Sequence, residues 1–532
     1  MDRRRFLQIG AGAAGALMLP LDASAATIGA GAGGSLRIAD KTFDRNPYRK
    51  GAPNLLFISI DDLNDWVGYL GHPVAKTPKL DAFAATAGVF ERAYCSVAMC
   101  GPSRTSVLTG ISPLITGLLG WHDAYYPGRS ECAENNICIY DVVSANMTLF
   151  DFLYLQGYDT FQAGKVYHDH FSRPFVDENG QPPYQEHNDL ASSDPGYVKV
   201  GELEWSIVDD PNITTLPDHQ TVDWCVAKLG ELTNPANQRP WAMACGITQP
   251  HTVWRIPRQF WDRYDRDEVK SLVTSPVSAN WDLLDVPMFP KRRLINANHE
   301  YMNSGASIRT HTAYNLWGAE KTAEAIHAYL AAISYADAQF GRIIAALENT
   351  RFRNNTKIVV WSDHGWHLGD KLAWHKMTLW EQGTRVPFLI KDPGNPSLLN
   401  GERFRHPVSL LDLFPTIMAM LDLPIMTHLS GRPLQDQLAA ARNGNLKPTR
   451  DNPPLMYWEP GNMAVRQGDW RYILYRFGGQ ELYNLYWDPE EQWNRAHPDQ
   501  TNPYREAKRK EMLALLPRRQ MQKWVDLDVP VD

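Results

Sequence analysis

Cys100-Gly-Pro-Ser-Arg-Thr-Ser-Val-Leu-Thr-Gly110 gathers more chemistry than any other stretch of the chain. Pro102 and Ser103 suit the first turn of a helix, because proline lacks the N–H that a helix start leaves unpaired. Val107 and Leu108 fall on the following turns, and Gly110 lies near the end of a short helix. Cys100 is therefore expected just before a helix N-terminus, where free N–H groups and the helix dipole favour an anion. Arg104, one turn on, can reach back toward the same point. A cysteine, an arginine and a helix start that converge describe a site for an oxyanion. Two acidic groups end separate predicted strands, Asp61-Asp62 after Leu55–Ile60 and Asp363-His364 after Lys357–Trp361. Clustered carboxylates repel unless a cation lies between them, and their oxygens suit Ca²⁺ or Mg²⁺. Each feature also has a plainer reading. An isolated cysteine is usually an inert buried hydrophobe, and Asp after a strand usually caps a helix or forms a turn.

The pattern Cys-x-Pro-Ser-Arg-x-x-x-Leu-Thr-Gly resembles the signature of the type I sulfatases, in which that cysteine is oxidised to Cα-formylglycine. The resemblance implies an α/β, alkaline-phosphatase-like sandwich: a large central mixed sheet flanked by helices, with a smaller C-terminal α+β subdomain and a short antiparallel sheet. It assigns Asp61, Asp62, Asp363, His364 and the oxidised Cys100 side chain to one divalent ion per chain, Ca²⁺ rather than Mg²⁺. Many members of that family carry Asn where this chain has His364, and histidine is a less typical ligand for calcium.

Gly164-Lys165-Val166-Tyr167-His168, on its own a solvated loop, resembles the Gly-Lys-x-x-His segment of the iduronate-2-sulfatase-like branch. That likeness implies that Lys165 neutralises the nucleophile or the sulfate and that His168 acts as base, while His170 has no role. Pro250-His251 resembles the family's Pro-His segment, which makes His251 the acid. Close relatives often read His-Lys-Pro-His there, whereas this chain has Thr248-Gln249-Pro250-His251. Lys376, in His375-Lys376-x-x-x-x-Glu381-x-x-x-Arg385-Val386-Pro387, matches a segment whose lysine binds sulfate near the leaving oxygen, and it is the alternative acid. Glu381 and Arg385 are expected to form a structural ion pair at helical spacing. Arg104 joins Lys165 and Lys376 as a group that stabilises charge on sulfate. Trp121, Trp254, Trp366 and Trp374 lie near these motifs, but most tryptophans are core packing and none is assigned to a ligand.

The elements that must position these groups alternate between strand and helix. Leu55–Ile60 reads as a strand buried on both faces. A helix follows over about 78–87, a short strand near 89–93, a helix near 147–155 and a strand near 159–162. Residues 170–235, rich in Pro, Asp and Asn, are expected to form long surface loops. Trp241–Gly246 supplies a buried strand, 320–347 a long helix, 357–361 and 386–390 two strands, and 408–421 a helix. Such alternation indicates an α/β sheet with helices on both faces, whose ligands gather beyond the carboxyl ends of the strands. Beyond about Leu423, Trp470–Tyr475 and Glu481–Tyr486 alternate like antiparallel strands, followed by Asp488-Pro489-Glu490 and a helix near 502–515. These resemble the smaller C-terminal part of sulfatases.

The 532 residues are 44% hydrophobic and 21% charged, enough for one large core and a second unit. A formal charge of −7 gives no electrostatic case for a nucleic-acid partner. Arg3-Arg4-Arg5-Phe6-Leu7-Gln8 resembles the twin-arginine export motif, followed by an apolar run to Leu19 and a small-residue cleavage site at Ala23-Ser24-Ala25. A stable membrane span needs ~18 or more apolar residues, more than this run offers. The expected organisation is a twin-arginine-type signal peptide over 1–25, a flexible lead-in over 26–50, a sulfatase catalytic domain over 51–423 and a C-terminal subdomain over 424–532. The expected location is periplasmic or secreted. The expected partners are a sulfated saccharide, the formylglycine-generating machinery and the twin-arginine translocase. Of six cysteines, five remain if Cys100 is oxidised, so at least one is unpaired; Cys132 and Cys138 could close a small loop. Two other function classes stay open. One is a phosphodiesterase or phosphonate monoester hydrolase of the same superfamily. The other is a non-catalytic sulfated-glycan binder, which would have no need of an acid–base pair.

Overall fold

Asn54–Ile60 (β1) is buried along its whole length, and its side chains alternate between two separate apolar cores. A strand of that kind must lie in the middle of a sheet covered on both faces. The computed structural model describes residues 28–29, 35–38, 41–120, 139–168, 198–200, 203–274, 283–287, 311–394, 401–435, 453–500 and 502–522. The expected signal segment, the Cys132–Cys138 loop, Trp121 and His170 lie outside these residues. The other strands of the sheet are Gly88–Phe90 (β2), Asp159–Gly164 (β3), Trp241–Ile247 (β4), Thr356–Ser362 (β5), Phe388–Lys391 (β6) and Arg403–Phe404 (β7). Their order is β7-β2-β6-β5-β1-β4-β3. β3, β4, β1 and β5 run parallel, and β6 is antiparallel to both β5 and β2, so the sheet is mixed.

One face carries Leu56, Ile58 and Ile60 with Met243, Cys245, Ile358 and Val360. Helices Pro78–Ala84 (α1), Pro217–Leu232 (α4) and His311–Glu348 (α5) cover it. The opposite face carries Leu55, Phe57, Ala244, Val359 and Trp361, against Cys100–Thr109 (α2), Leu149–Leu155 (α3) and Leu413–Met420 (α6). Because β5, β1, β4 and β3 are parallel, their carboxyl ends lie along one edge. Asp61-Asp62, Asp363-His364, Lys165 and Thr248–His251 all follow those ends.

Four local expectations are corrected. The described residues 198–200 and 203–232 are not one long surface loop. They form strands Val198–Val200 and Leu203–Val208 and the helix α4. Pro217 and Asp218 are first-turn residues there, and Val222, Cys225 and Leu229 repeat at helical spacing against the sheet. The 386–390 strand is split at Pro387, which has no N–H to continue a ladder. Arg385–Val386 pairs with Ala93–Tyr94, and only Phe388–Lys391 joins the large sheet. Val408–Ser409 pairs as a strand with the same Ala93–Tyr94, so α6 begins at Leu413. The long helix starts earlier than expected, at His311, with a break at Gly318 (φ 70°).

Past residue 453, Leu455–Tyr457 (β8), Met463–Gln467 (β9), Trp470–Leu474 (β10) and Gln480–Asn484 (β11) form a four-stranded antiparallel sheet in sequential order. One face packs Met456, Ala464 and Ile473 on Tyr94, Leu379 and Trp380. The other packs Val465, Leu474 and Leu482 on Met512 of helix Pro503–Ala514 (α7) and on Val97 and Met99, just ahead of Cys100.

Charge is buried at this junction. Arg471, fully buried on β10, pairs with Glu381 at 2.5 Å and Glu491 at 3.0 Å and donates to the Leu379 carbonyl. Glu381 therefore pairs with Arg471, and Arg385 with Asp65 at 3.1 Å, in place of the expected Glu381–Arg385 pair. Short extended backbone at 385–386 carries Arg385 away from a helical i, i+4 position. Replacing Arg471 with Met leaves two buried carboxylates without that partner, which typically costs ~3–5 kcal/mol. Chemical denaturation of Arg471→Met should show a loss of this size, and near-wild-type stability would mean that Arg466, 3.8 Å from Glu381, suffices alone.

Candidate active site

Met99 caps α2, so Cys100 occupies the first helical position and its side chain stands at the helix start. Gly110 closes the helix in the left-handed region at φ 67°. Cys100 Sγ lies 2.8 Å from Lys376 Nζ, 3.2 Å from His364 Nε2 and 3.8 Å from Asp62 Oδ1. Burial opposes ionisation of the thiol, but Lys376 and Lys165 overcome it and hold Cys100 well below the ordinary thiol range.

Around the sulfur lie three buried carboxylates. Asp61 Oδ2 is 2.7 Å from Lys165 Nζ, and Asp61 Oδ1 is 2.9 Å from Arg104. Asp363 Oδ2 is 2.9 Å from Arg104 Nε, and Asp363 Oδ1 accepts the Asp62 N–H at 3.1 Å. Asp62 sits at φ 57°, a left-handed conformation that Asp tolerates better than most residues. Its Oδ1 is 2.7 Å from Lys376 Nζ and 3.1 Å from His364 Nε2. Arg104, expected to point at the oxyanion, instead directs its donors to Asp61, Asp363 and the carbonyls of Lys165 and Val166. It is fully buried and ties three strand ends together.

The approach of β3 to β4 leaves no room for side chains. A Cβ on Gly164 would stand 2.0 Å from the Gly246 carbonyl oxygen, and Gly164 has φ 69°. This close approach drives Lys165 into the cluster, with its N–H on the Gly246 carbonyl. His168 lies against the first turn of α2, since a Cβ on Gly101 would stand 3.4 Å from His168 Cγ. His251 Nε2 is 3.9 Å from Asp62 Oδ2.

The donor set fits a hard divalent cation. Oxygens of Asp61, Asp62 and Asp363 with His364 Nε2 and the residue-100 side chain form two overlapping groups, each with ligand atoms within 4.8 Å of one another. One of these groups also takes in His251. Asp62 Oδ2 is buried with no hydrogen bond. His364 Nδ1 faces the Gly365 carbonyl at 2.9 Å, which leaves Nε2 toward the centre, as in many metal-binding histidines. The excess of anions shows in the titration. Burial pushes Asp363 up to about 7, with Asp61 and Cys100 adding to it against Arg104. Burial alone would lower His364, yet Asp363, Cys100 and Asp62 raise it to about 10. A cation bound there would displace the protons held by Asp363 and His364, while Asp61, Asp62 and Cys100 are already held in the ionised form that a ligand needs.

Nine of the ten site residues read from the sequence come together here, and His168 lies beside Gly101, next to Cys100. Two more residues reach the cluster: Ser103, a fixed member of the cysteine motif, and Tyr329, which had no sequence signal. Ser103 Oγ donates to the Asp363 carbonyl at 2.5 Å, and Tyr329 on α5 donates to the Asp62 carbonyl at 2.7 Å. Trp254, Trp366 and Trp374 are buried core residues.

The family model described as Sulfatase matches residues 53–423. The chain belongs to the sulfatase family. It is 30% identical over 461 residues to a sulfatase of Formosa agariphila, spanning 84% of this chain and 83% of the relative. Iduronate 2-sulfatase of Mus musculus is 27% identical over 425 residues, 74% of this chain and 73% of that protein. Among solved structures, the phosphonate monoester hydrolase of Agrobacterium radiobacter shares the fold with a TM-score of 0.67 at 20% identity, covering 88% of this chain and 96% of that one. The molecule has the alkaline-phosphatase-like architecture of the family, and it is a sulfuric ester hydrolase.

The family implies a divalent metal, and the cluster is where it would bind. Asp61→Ala and Asp363→Ala should each lower metal content, measured by elemental analysis after dialysis, together with kcat/KM, by at least ~10–100-fold. Variants with full metal and no activity would show that these groups are not ligands. His364→Asn, which keeps a donor, should retain far more metal than His364→Ala.

Proposed function

We propose that this protein is an exported, calcium-dependent sulfatase of sulfated saccharides that uses a hydrated formylglycine made from Cys100. The placement of Cys100 carries the reading: the first position of a helix, with Lys376 Nζ at 2.8 Å, His364 Nε2 at 3.2 Å and three carboxylates alongside. A plain thiolate attacking a sulfate ester would be left as an adduct with no easy exit. The hydrated aldehyde supplies one hydroxyl to attack sulfur and a second whose oxygen expels sulfate. Cys100 Sγ marks the place that those oxygens would take. Asp61, Asp62, Asp363, His364 and the oxidised side chain would hold Ca²⁺, which would polarise sulfate oxygens and favour the ionised nucleophile.

The remaining roles belong to the chain's own groups. Lys376 and Lys165 neutralise charge that spreads over the sulfate oxygens. Arg104 orients Asp61 and Asp363 from behind. His168, beside the α2 start, takes the proton from the second hydroxyl as sulfate departs. His251 protonates the leaving alcohol. Burial lowers its pKa, but Asp62 and Asp61 outweigh this and raise it, which keeps the imidazolium available. The iduronate 2-sulfatase relative supports a sulfated sugar as substrate. The Arg3-Arg4-Arg5 segment and Ala23-Ser24-Ala25 support twin-arginine export to the periplasm or beyond. Among the described residues no helix is long and apolar enough to cross a membrane. Oxidation of Cys100 must then precede export, because the modifying machinery reads an extended chain.

Mass spectrometry of the peptide containing residue 100 from active enzyme should show the aldehyde in place of the thiol. Full activity with thiol alone would overturn the mechanism. Parallel kinetics on sulfate, phosphate and phosphonate esters should favour sulfate; preference for a phosphorus ester would move the protein to the phosphonate hydrolase reading. His251→Ala should cut cleavage of a sugar sulfate by ~10²–10⁴-fold. It should affect 4-nitrophenyl sulfate much less, since a phenolate leaves with little protonation. Equal losses on both would make His251 a sulfate-binding group and Lys376 the acid.

A further inference from the structure

The loop that carries His251 is anchored from outside its own strand. Asp218, in the first turn of α4, is buried, and its two carboxylate oxygens accept the N–H groups of Thr248 at 2.7 Å and Gln249 at 2.8 Å. The Thr248 carbonyl in turn accepts the His251 N–H at 2.8 Å. Three bonds therefore lead from the α4 carboxylate to the His251 backbone. A first-turn acid can serve the helix dipole alone. This one differs, because both oxygens reach across to a loop 30 and 31 residues further along the chain. Each N–H would otherwise be a buried donor at the end of β4, where every residue from Trp241 to Pro250 is buried.

We infer that Asp218 is a positioning residue for His251: its carboxylate fixes the Thr248–Gln249 backbone and thereby the place from which the imidazole meets the leaving oxygen. This rests on the reading of His251 as the acid. Asp218 reaches the loop through the backbone N–H groups of Thr248 and Gln249, so it acts through backbone geometry. A misplacement of about 1 Å can cost ~10²-fold in a proton-transfer step. Asp218→Asn tests the idea with little change of size. Its Oδ1 accepts one N–H, but its Nδ2 brings a donor against the other. Asp218→Glu keeps both acceptors and the charge while shifting them by one methylene, and it is the variant to read if Asp218→Asn folds poorly.

The experiment uses the oxidised, metal-loaded full chain, with a 2-O-sulfated uronic acid disaccharide and 4-nitrophenyl sulfate as probes. Asp218→Asn should lose ~10-fold or more in kcat/KM on the disaccharide and much less on the aryl sulfate. In a His251→Ala background it should cause no further loss on the disaccharide. Amide exchange at Thr248 and Gln249 should quicken in Asp218→Asn, and this is read on metal-free, unoxidised protein. Losses that multiply in the double variant, wild-type kinetics in Asp218→Asn, or unchanged exchange would each overturn the inference. Failure of the acid assignment shows separately, as equal losses on both probes in His251→Ala alone.

Discussion

Asp61, Asp62 and Asp363 stand fully buried within one small cluster. Two like charges 4 Å apart repel by about 4 kcal/mol at an effective dielectric of about 20. Much of the surrounding architecture answers that repulsion. Arg104 bridges Asp61 and Asp363, Lys165 takes the second oxygen of Asp61, and Lys376 and His364 take Asp62. Each of these partners comes from a different element, so the central sheet, α2 and the loop before Glu381 must all be in place together. The catalytic charges and the fold's topology are one problem.

The same arrangement explains why the site lies at the carboxyl ends of the strands. β1 and β5 deliver their acids there, β3 delivers Lys165, and β4 delivers the His251 loop, all through parallel pairing in fixed register. The helix start at Cys100 then meets them from the opposite core, behind Val107 and Leu108. Asp62 Oδ2, buried without a hydrogen bond, and the raised Asp363 and His364 mark the side of the cluster where a cation would bind.

The sheet was readable from the chain, as was the spatial grouping of the motif residues, because the informative residues are local. The run Leu55–Ile60 suits a strand buried on both faces, and Pro102 and Gly110 announce a short helix whose start lies two residues earlier than Pro102, at Cys100. What escaped depends on contacts distant in sequence. Arg104 has one turn of helix in common with Cys100, yet its partners lie 43 and 259 residues away. Glu381 and Arg385 have helical spacing, but the helix ends at Thr384 and each finds its counter-charge elsewhere. Residues 217–232 are rich in polar letters because they begin a helix, not because they form a loop. Asp218 and Tyr329 have no motif at all.

The Glu381–Arg471–Glu491 triad has a consequence for how this molecule can change over time. Lys376 lies five residues before Glu381, and the same segment sends the Met377 N–H to the Ala98 carbonyl beside the Cys100 turn. The small antiparallel sheet is thus wired into the reactive centre by buried charge that neither part can solvate on its own. Exchanging that sheet for one from a relative strands an ion inside the protein unless all three partners travel together. Editing rim loops is therefore a less costly route to a changed specificity than swapping modules, because exchange of either part alone leaves buried charge unpaired.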